Sequence, residues 1–221
     1  MQHCDAGGID FSYPRIVLLI GKPRSSKSNT VKYWVLNNSL GDDSHFKFGL
    51  VFTGSKFNSD YDYIPDDYVY EGYNQDVLDT YLEELQDIQE KEGKIPPNFI
   101  VFDDLVGILS RFDNHFINFT TRHRHYNTTI FICVQFLNLG ANTTLREITT
   151  HALMFKATGF NTIESLWKNF GTSFDKYNDW KEFFTEHTKE PFTGLLYDAT
   201  NNSYCEFRSP FMGEVKETLD F

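Results

Sequence analysis

Cysteine is scarce in this chain: three residues in 221, at Cys4, Cys133 and Cys205. An odd count with no C-x-x-C pair and no His-rich spacing indicates neither a zinc site nor a disulfide framework. Cys133, inside Thr129-Ile130-Phe131-Ile132-Cys133-Val134, reads as a core residue. Long apolar runs are also missing, so no segment is expected to span or anchor in a membrane. The start, Met1-Gln2-His3-Cys4-Asp5-Ala6, lacks the charged region and apolar stretch of a secretory signal. A reducing intracellular setting is therefore expected, and Asn127-Thr128-Thr129 then carries no glycan. Positive charge is in deficit, with 20 Lys and Arg against 31 Asp and Glu, a formal net charge of −11. That excludes a general nucleic-acid coat protein, whose footprint is a basic stripe. It leaves room for a motor that touches DNA through a few pore residues and is acidic elsewhere.

Apolar and aromatic residues are plentiful, at 40% and 17%, enough for one domain with a substantial core. The most informative segment is Gly21-Lys22-Pro23-Arg24-Ser25-Ser26-Lys27-Ser28, directly after the apolar run Ile16-Val17-Leu18-Leu19-Ile20. Strand, G-x-x-x-x-G-K-[ST], then helix is the layout of a phosphate-binding loop, and only the second glycine is changed, to Ser26. Backbone N–H groups from Gly21 to Asn29 would curl around the β- and γ-phosphates at a positively polarised helix start. Lys27 would bind phosphate oxygens and the Ser28 hydroxyl Mg²⁺. A Cβ at position 26 costs roughly 1–2 kcal/mol if the backbone there is left-handed.

A second apolar run, Phe99-Ile100-Val101-Phe102, ends in Asp103-Asp104, a Walker B signature. Buried parallel strands read as continuous apolar stretches, and carboxylates at their carboxyl ends face the crevice where open α/β sheets bind ligands. Asp103 would hold the Mg²⁺ shell, and Asp104 would polarise the attacking water as general base.

The chain alternates between the two periods. Strands are predicted at Ile16 to Ile20, Phe48 to Phe52, Phe99 to Phe102, Thr129 to Val134 and Ala152 to Lys156. Helices are predicted at Lys27 to Asn38, Asp76 to Lys91, Asp113 to Tyr126, Asn161 to Phe170 and Asp175 to His187. Asn58 to Tyr73 reads as a polar loop whose acids, Asp60, Asp62, Asp66 and Asp67, are solvated rather than a cation site. A hairpin is predicted around Thr200-Asn201-Asn202-Ser203. The expected fold is an α/β P-loop NTPase with a mainly parallel sheet flanked by helices. Its core covers about residues 14–160, with carboxy-terminal helices and a β-hairpin over about 161–221.

Gln135 ends a core strand, where it either reaches the γ-phosphate and attacking water or simply meets solvent. Arg146 is either a helix-surface residue or a finger reaching a neighbouring subunit's nucleotide. Arg24 is either an extra phosphate contact or an exposed loop residue. The basic run Arg122-His123-Arg124-His125 reads as a solvated helix end, with contact to DNA phosphates or a neighbouring subunit as the other reading.

Taken together, the phosphate loop, Phe99 to Asp104, Arg124 to Ile130, the strand ending at Gln135, Leu145-Arg146 and the final hairpin resemble the poxvirus-type genome packaging ATPases of the FtsK/HerA superfamily, found in large DNA viruses and virophages. The resemblance spans most of the chain. It implies an ATP- and Mg²⁺-dependent motor, a homo-oligomeric ring of five or six subunits at a capsid vertex protein, driving double-stranded DNA into a preformed capsid. The setting it implies is the host cytoplasm or viral factory, or the virion itself. It also implies Lys27 and Ser28 for phosphate and metal, Asp103 for metal, Asp104 for water activation, Gln135 as sensor and Arg146 as finger. Ser26 departs from the family glycine, and Asp104 from the longer Glu that many relatives carry. Two other classes share the loop: a small nucleoside or nucleotide kinase, and a nucleotide-binding assembly subunit without turnover.

Overall fold

A computed structural model describes residues 8–40, 44–56, 60–105, 114–135, 143–212 and 218–221. Eight strands form one sheet in the order β3-β2-β4-β5-β1-β6-β7-β8. They are β1 (Ile16–Ile20), β2 (Phe48–Thr53), β3 (Val69–Glu71), β4 (Asn98–Asp103), β5 (Thr128–Val134), β6 (His151–Phe155), β7 (Thr193–Asp198) and β8 (Ser203–Arg208). The pairs from β3 through β6 are parallel, while β6 with β7 and β7 with β8 are antiparallel. The final hairpin thus continues the parallel sheet as its edge.

The central strands are apolar throughout because both of their faces are covered. Along β1, Ile16, Leu18 and Ile20 join one core cluster and Val17 and Leu19 the other, as the two-residue side-chain period requires. Helix α1 (Lys27–Ser39) covers the second cluster with Val31, Trp34, Val35 and Leu36, Trp34 lying stacked on Phe131. The first cluster lies under α2 (Gln75–Glu92), α3 (Asn114–Arg122), α5 (Phe160–Phe170) and α6 (Tyr177–His187). Asn74 caps α2 by accepting from the N–H groups of Asp76 and Val77, and Gly93 ends it at φ 77°.

Three expectations need correction. The predicted polar loop from Asn58 contains β3 and a 3-10 turn at Asp66–Tyr68, and it buries Tyr61, Tyr63 and Ile64. The helix expected from Asp113 to Tyr126 stops at Arg122 and gives way to a 3-10 turn, His123–Tyr126. There His123 turns inward at 3% exposure, so the basic run is solvated only at its other members; Asp113 lies outside the described residues. Cys205 is disulfide-bonded, where the odd cysteine count indicated no bridge; Cys133 is free and buried as expected. Among the described residues no helix is long and apolar enough to cross a membrane.

Candidate active site

The site follows from strand order. β5 lies between β1 and β4, with Ile20 beside Val134 and Asp103 beside Cys133. The next residue of each strand, Gly21, Gln135 and Asp104, therefore emerges at the same edge of the sheet. Gly21 donates its N–H to the Val134 carbonyl at 3.1 Å, and a Cβ there would sit 2.9 Å from Cβ of Phe155. Only glycine fits so close an approach.

The loop then turns through two left-handed residues, Arg24 at φ 63° and Ser26 at φ 76°. Ser26 occupies the position where the motif has glycine, so the strain foreseen from the sequence is present. The Ser25 hydroxyl is buried inside the loop without a hydrogen-bond partner, a cost that a bound phosphate would relieve. The buried Lys27 ammonium donates to the carbonyls of Gly21 at 2.8 Å and Lys22 at 3.1 Å, which leaves one of its three protons for an anion. Pro23 and Arg24 are exposed. Lys22 donates to Oγ1 of Thr158 at 3.0 Å. Asn29 is used differently: its amide donates to Oγ of Ser209 at 2.9 Å and to the Pro210 carbonyl at 2.5 Å, and its Oδ1 accepts from the Met212 N–H at 3.1 Å. Its side chain ties the carboxy-terminal segment to the start of α1.

Ser28 Oγ donates to Oδ2 of Asp103 at 2.8 Å. This joins the two motifs across 75 residues of sequence. Asp103 is buried at 5% exposure and has a second hydroxyl donor that the sequence did not reveal, Tyr61, at 2.8 Å to the same oxygen. Burial, helped by the Asp103 charge, pushes the Tyr61 phenol well above its usual range, so it stays protonated. Burial, then the charge of Asp103, raises the Cys133 thiol. Asp104 leaves the strand at φ 51° and is exposed; its Oδ1 accepts from Nε2 of Gln135 at 2.5 Å. The pair meets the first requirement for a base and its orienting group.

The acids of the predicted loop divide. Asp66 and Asp67 are exposed, whereas Asp62 accepts from the buried Lys32 at 2.8 Å. Burial first, then the charge of Asp103, raises the Asp60 carboxyl. Among the described residues no group of three or more His, Cys, Asp or Glu could hold a metal ion. The donors that fit Mg²⁺ are Ser28 and Asp103, since this ion takes one or two protein ligands and completes its shell with phosphate and water.

Arg146 is not part of this assembly. It lies on the short helix α4 (Thr143–Ile148), where its guanidinium donates to Oδ1 of Asn169 at the end of α5. Its carbonyl accepts from the Thr149 N–H, one residue before Thr150 bonds Ile16. Arg146 thus stands at the amino edge of the sheet, the length of β1, roughly 15 Å, from the phosphate loop.

No family model and no curated protein matches the chain. Solved structures do. The genome packaging NTPase B204 from Sulfolobus turreted icosahedral virus 2, in complex with ATP-gammaS, superposes with a TM-score of 0.61 at 14% identity, over 88% of this chain and 97% of that one. Its complex with AMPPCP gives 0.61 at 14%, over 91% and 100%. The chain has the fold of these P-loop NTPases. The same fold extends to the cytoplasmic domain of the Thermomonospora curvata Type VII secretion ATPase EccC, with a TM-score of 0.62 and 17% identity, over 92% of this chain and 27% of that one.

Proposed function

We propose that this protein is an ATP-hydrolysing motor that translocates double-stranded DNA into a preformed viral capsid, working as a ring of five or six copies docked at a capsid vertex. The observation that carries the hydrolase reading is the convergence of Ser28 with Asp103 and of Gln135 with Asp104 beside the phosphate loop. A kinase would need an acceptor pocket at this edge; a water-orienting pair serves hydrolysis. The DNA-packaging part is supported by the likeness to B204, itself a genome packaging NTPase, and by the sequence motifs.

In this reading Lys27 and the loop N–H groups hold the β- and γ-phosphates, and Ser28 with Asp103 holds Mg²⁺. Bound Mg²⁺ supplies neutralisation of the phosphate charge. Asp104 accepts the proton of the attacking water while Gln135 orients them both. Arg146, remote from its own loop, acts on the nucleotide of a neighbouring subunit, and the place of work is the host cytoplasm or viral factory where capsids assemble.

The test is ATP turnover by the purified chain with and without double-stranded DNA, alongside electron microscopy for rings. DNA should accelerate hydrolysis, and Arg146→Ala should remove turnover in rings while leaving nucleotide affinity intact. Rings that hydrolyse ATP at one rate regardless of DNA would end the translocase reading. Transfer of the labelled phosphate to a nucleoside would replace it with the kinase.

A further inference from the structure

Tyr61 reaches the centre of the site from a segment that the motifs do not cover. Its phenol is 5% exposed and donates to Oδ2 of Asp103, the oxygen that also accepts from Ser28. A carboxylate oxygen has two lone-pair directions, and these two hydroxyls take both. Acceptor capacity then remains on Oδ1.

The segment around Tyr61 is fastened on both sides. Asp62 pairs with Lys32 of α1 at 2.8 Å, and the Lys32 ammonium lies 5.5 Å from the Tyr63 ring centre. The Tyr63 carbonyl accepts from the Leu219 N–H at 2.8 Å. The Tyr61 and Tyr63 rings lie 6.1 Å apart. A phenol on so constrained a segment can fix the rotation of a carboxylate, because neither partner has freedom to follow the other away.

We infer that Tyr61 is a positioning residue for metal binding: by occupying Oδ2 of Asp103 together with Ser28, it turns Oδ1 toward the hydration shell of a nucleotide-bound Mg²⁺. This rests on the nucleotide-site reading above. It assigns Tyr61 no contact with the reacting atoms. The role is specific to the hydroxyl, since the ring alone would fill the same space.

The experiment is equilibrium binding of a non-hydrolysable β,γ-methylene ATP analogue to the full chain, titrated with Mg²⁺ from a chelated start, for the natural protein, Tyr61→Phe and Tyr61→Leu. Losing the bond that fixes the carboxylate rotation should raise the Mg²⁺ midpoint about tenfold in Y61F, a fraction of what a hydrogen bond to a charged group contributes in full, with metal-free affinity unchanged. Y61L should show the same midpoint shift plus a lower Tm from lost packing. A Y61F midpoint equal to the natural one, with only Y61L impaired, would reduce Tyr61 to a packing residue and overturn the inference. An unfolded Y61F would overturn it too, by assigning the hydroxyl to stability. If the natural protein binds the analogue with no dependence on Mg²⁺, the metal site itself fails, and the role of Tyr61 with it.

Discussion

At the carboxyl edge of the sheet, Arg24, Ser26 and Asp104 all hold left-handed backbone, a conformation costly for the first two and tolerated by Asp, and the Ser25 hydroxyl is buried without a partner. Among the described residues at the amino edge the left-handed ones are Asn127 and Asn202, a type that tolerates it, and although the Ser39 hydroxyl at the end of α1 is buried without a partner, the buried polar groups that hold the strand starts are satisfied. Asn98, fully buried, accepts from Oγ1 of Thr128 at 2.8 Å and the Tyr81 phenol at 3.3 Å, and donates to the carbonyls of Tyr126 at 2.7 Å and Pro96 at 3.1 Å. Thr150 Oγ1 donates to the Ile16 carbonyl at 2.9 Å and accepts the Ile16 N–H at 3.1 Å. Left-handed strain in types that resist it is retained where something must bind; hydrogen bonds at the strand starts are completed where the strands must only be held in register.

The comparison breaks if substitutions at the two edges have interchangeable effects. Lys27→Ala should weaken nucleotide binding at least 100-fold with little change in Tm, because the lysine bonds only loop carbonyls. Asp104→Asn should keep nucleotide affinity and lower kcat about 100-fold or more. Asn98→Ala should do the reverse, costing roughly 4 kcal/mol of stability at about 1 kcal/mol per lost bond while leaving affinity unchanged in the folded fraction. Calorimetric binding and thermal unfolding on the three variants separate these outcomes. A binding defect in Asn98→Ala would erase the distinction between the edges.

Much of this division was legible in the sequence. Continuous apolar runs marked the covered central strands, and the loop and Asp103-Asp104 marked where two of them end. The adjacency of Gln135 and Asp104 followed only from β5 lying between β1 and β4, which no local pattern encodes. Tyr61 was hidden because its partner is 42 residues away and its neighbours Asp60 and Asp62 read as solvated. β3 was hidden by its length of three residues, too short to show alternation. The early end of α3 was hidden because His123, between two arginines, looked like a surface residue. Arg146 showed its type but not its edge.

The amino edge has a pH sensitivity that sharpens the contrast. Burial lowers the His123 pKa from about 6.5 to about 4, and the neutral ring donates from Nδ1 to the Thr128 carbonyl at 2.7 Å. His151 is lowered by burial as well. Since the unfolded chain binds the His123 proton more readily than the folded one, stability is complete above pH 6.5 and declines as pH falls toward 4. The loss is on the order of 3 kcal/mol, from a shift of about 2.5 units. Urea unfolding between pH 7.5 and 4 should show this decline, and His123→Phe should reduce it to the part that His151 contributes.

The smallest expected effect tests strain at the other edge. Ser26 is the N-cap of α1 but makes no side-chain capping bond, so removing its side chain forfeits no cap. Its carbonyl accepts from the N–H and hydroxyl of Thr30, at 2.9 and 2.8 Å, and those bonds do not need a Cβ. Ser26→Gly should therefore relieve about 1–2 kcal/mol of left-handed strain and give back part of it as greater freedom of the unfolded chain. A net gain of about 0.5–1 kcal/mol should raise Tm by about 1–3 °C, with nucleotide affinity equal or higher because the loop needs less distortion to keep its curve. A fall in Tm would mean that the serine side chain supports the loop, and strain at position 26 would no longer distinguish the carboxyl edge from the amino one.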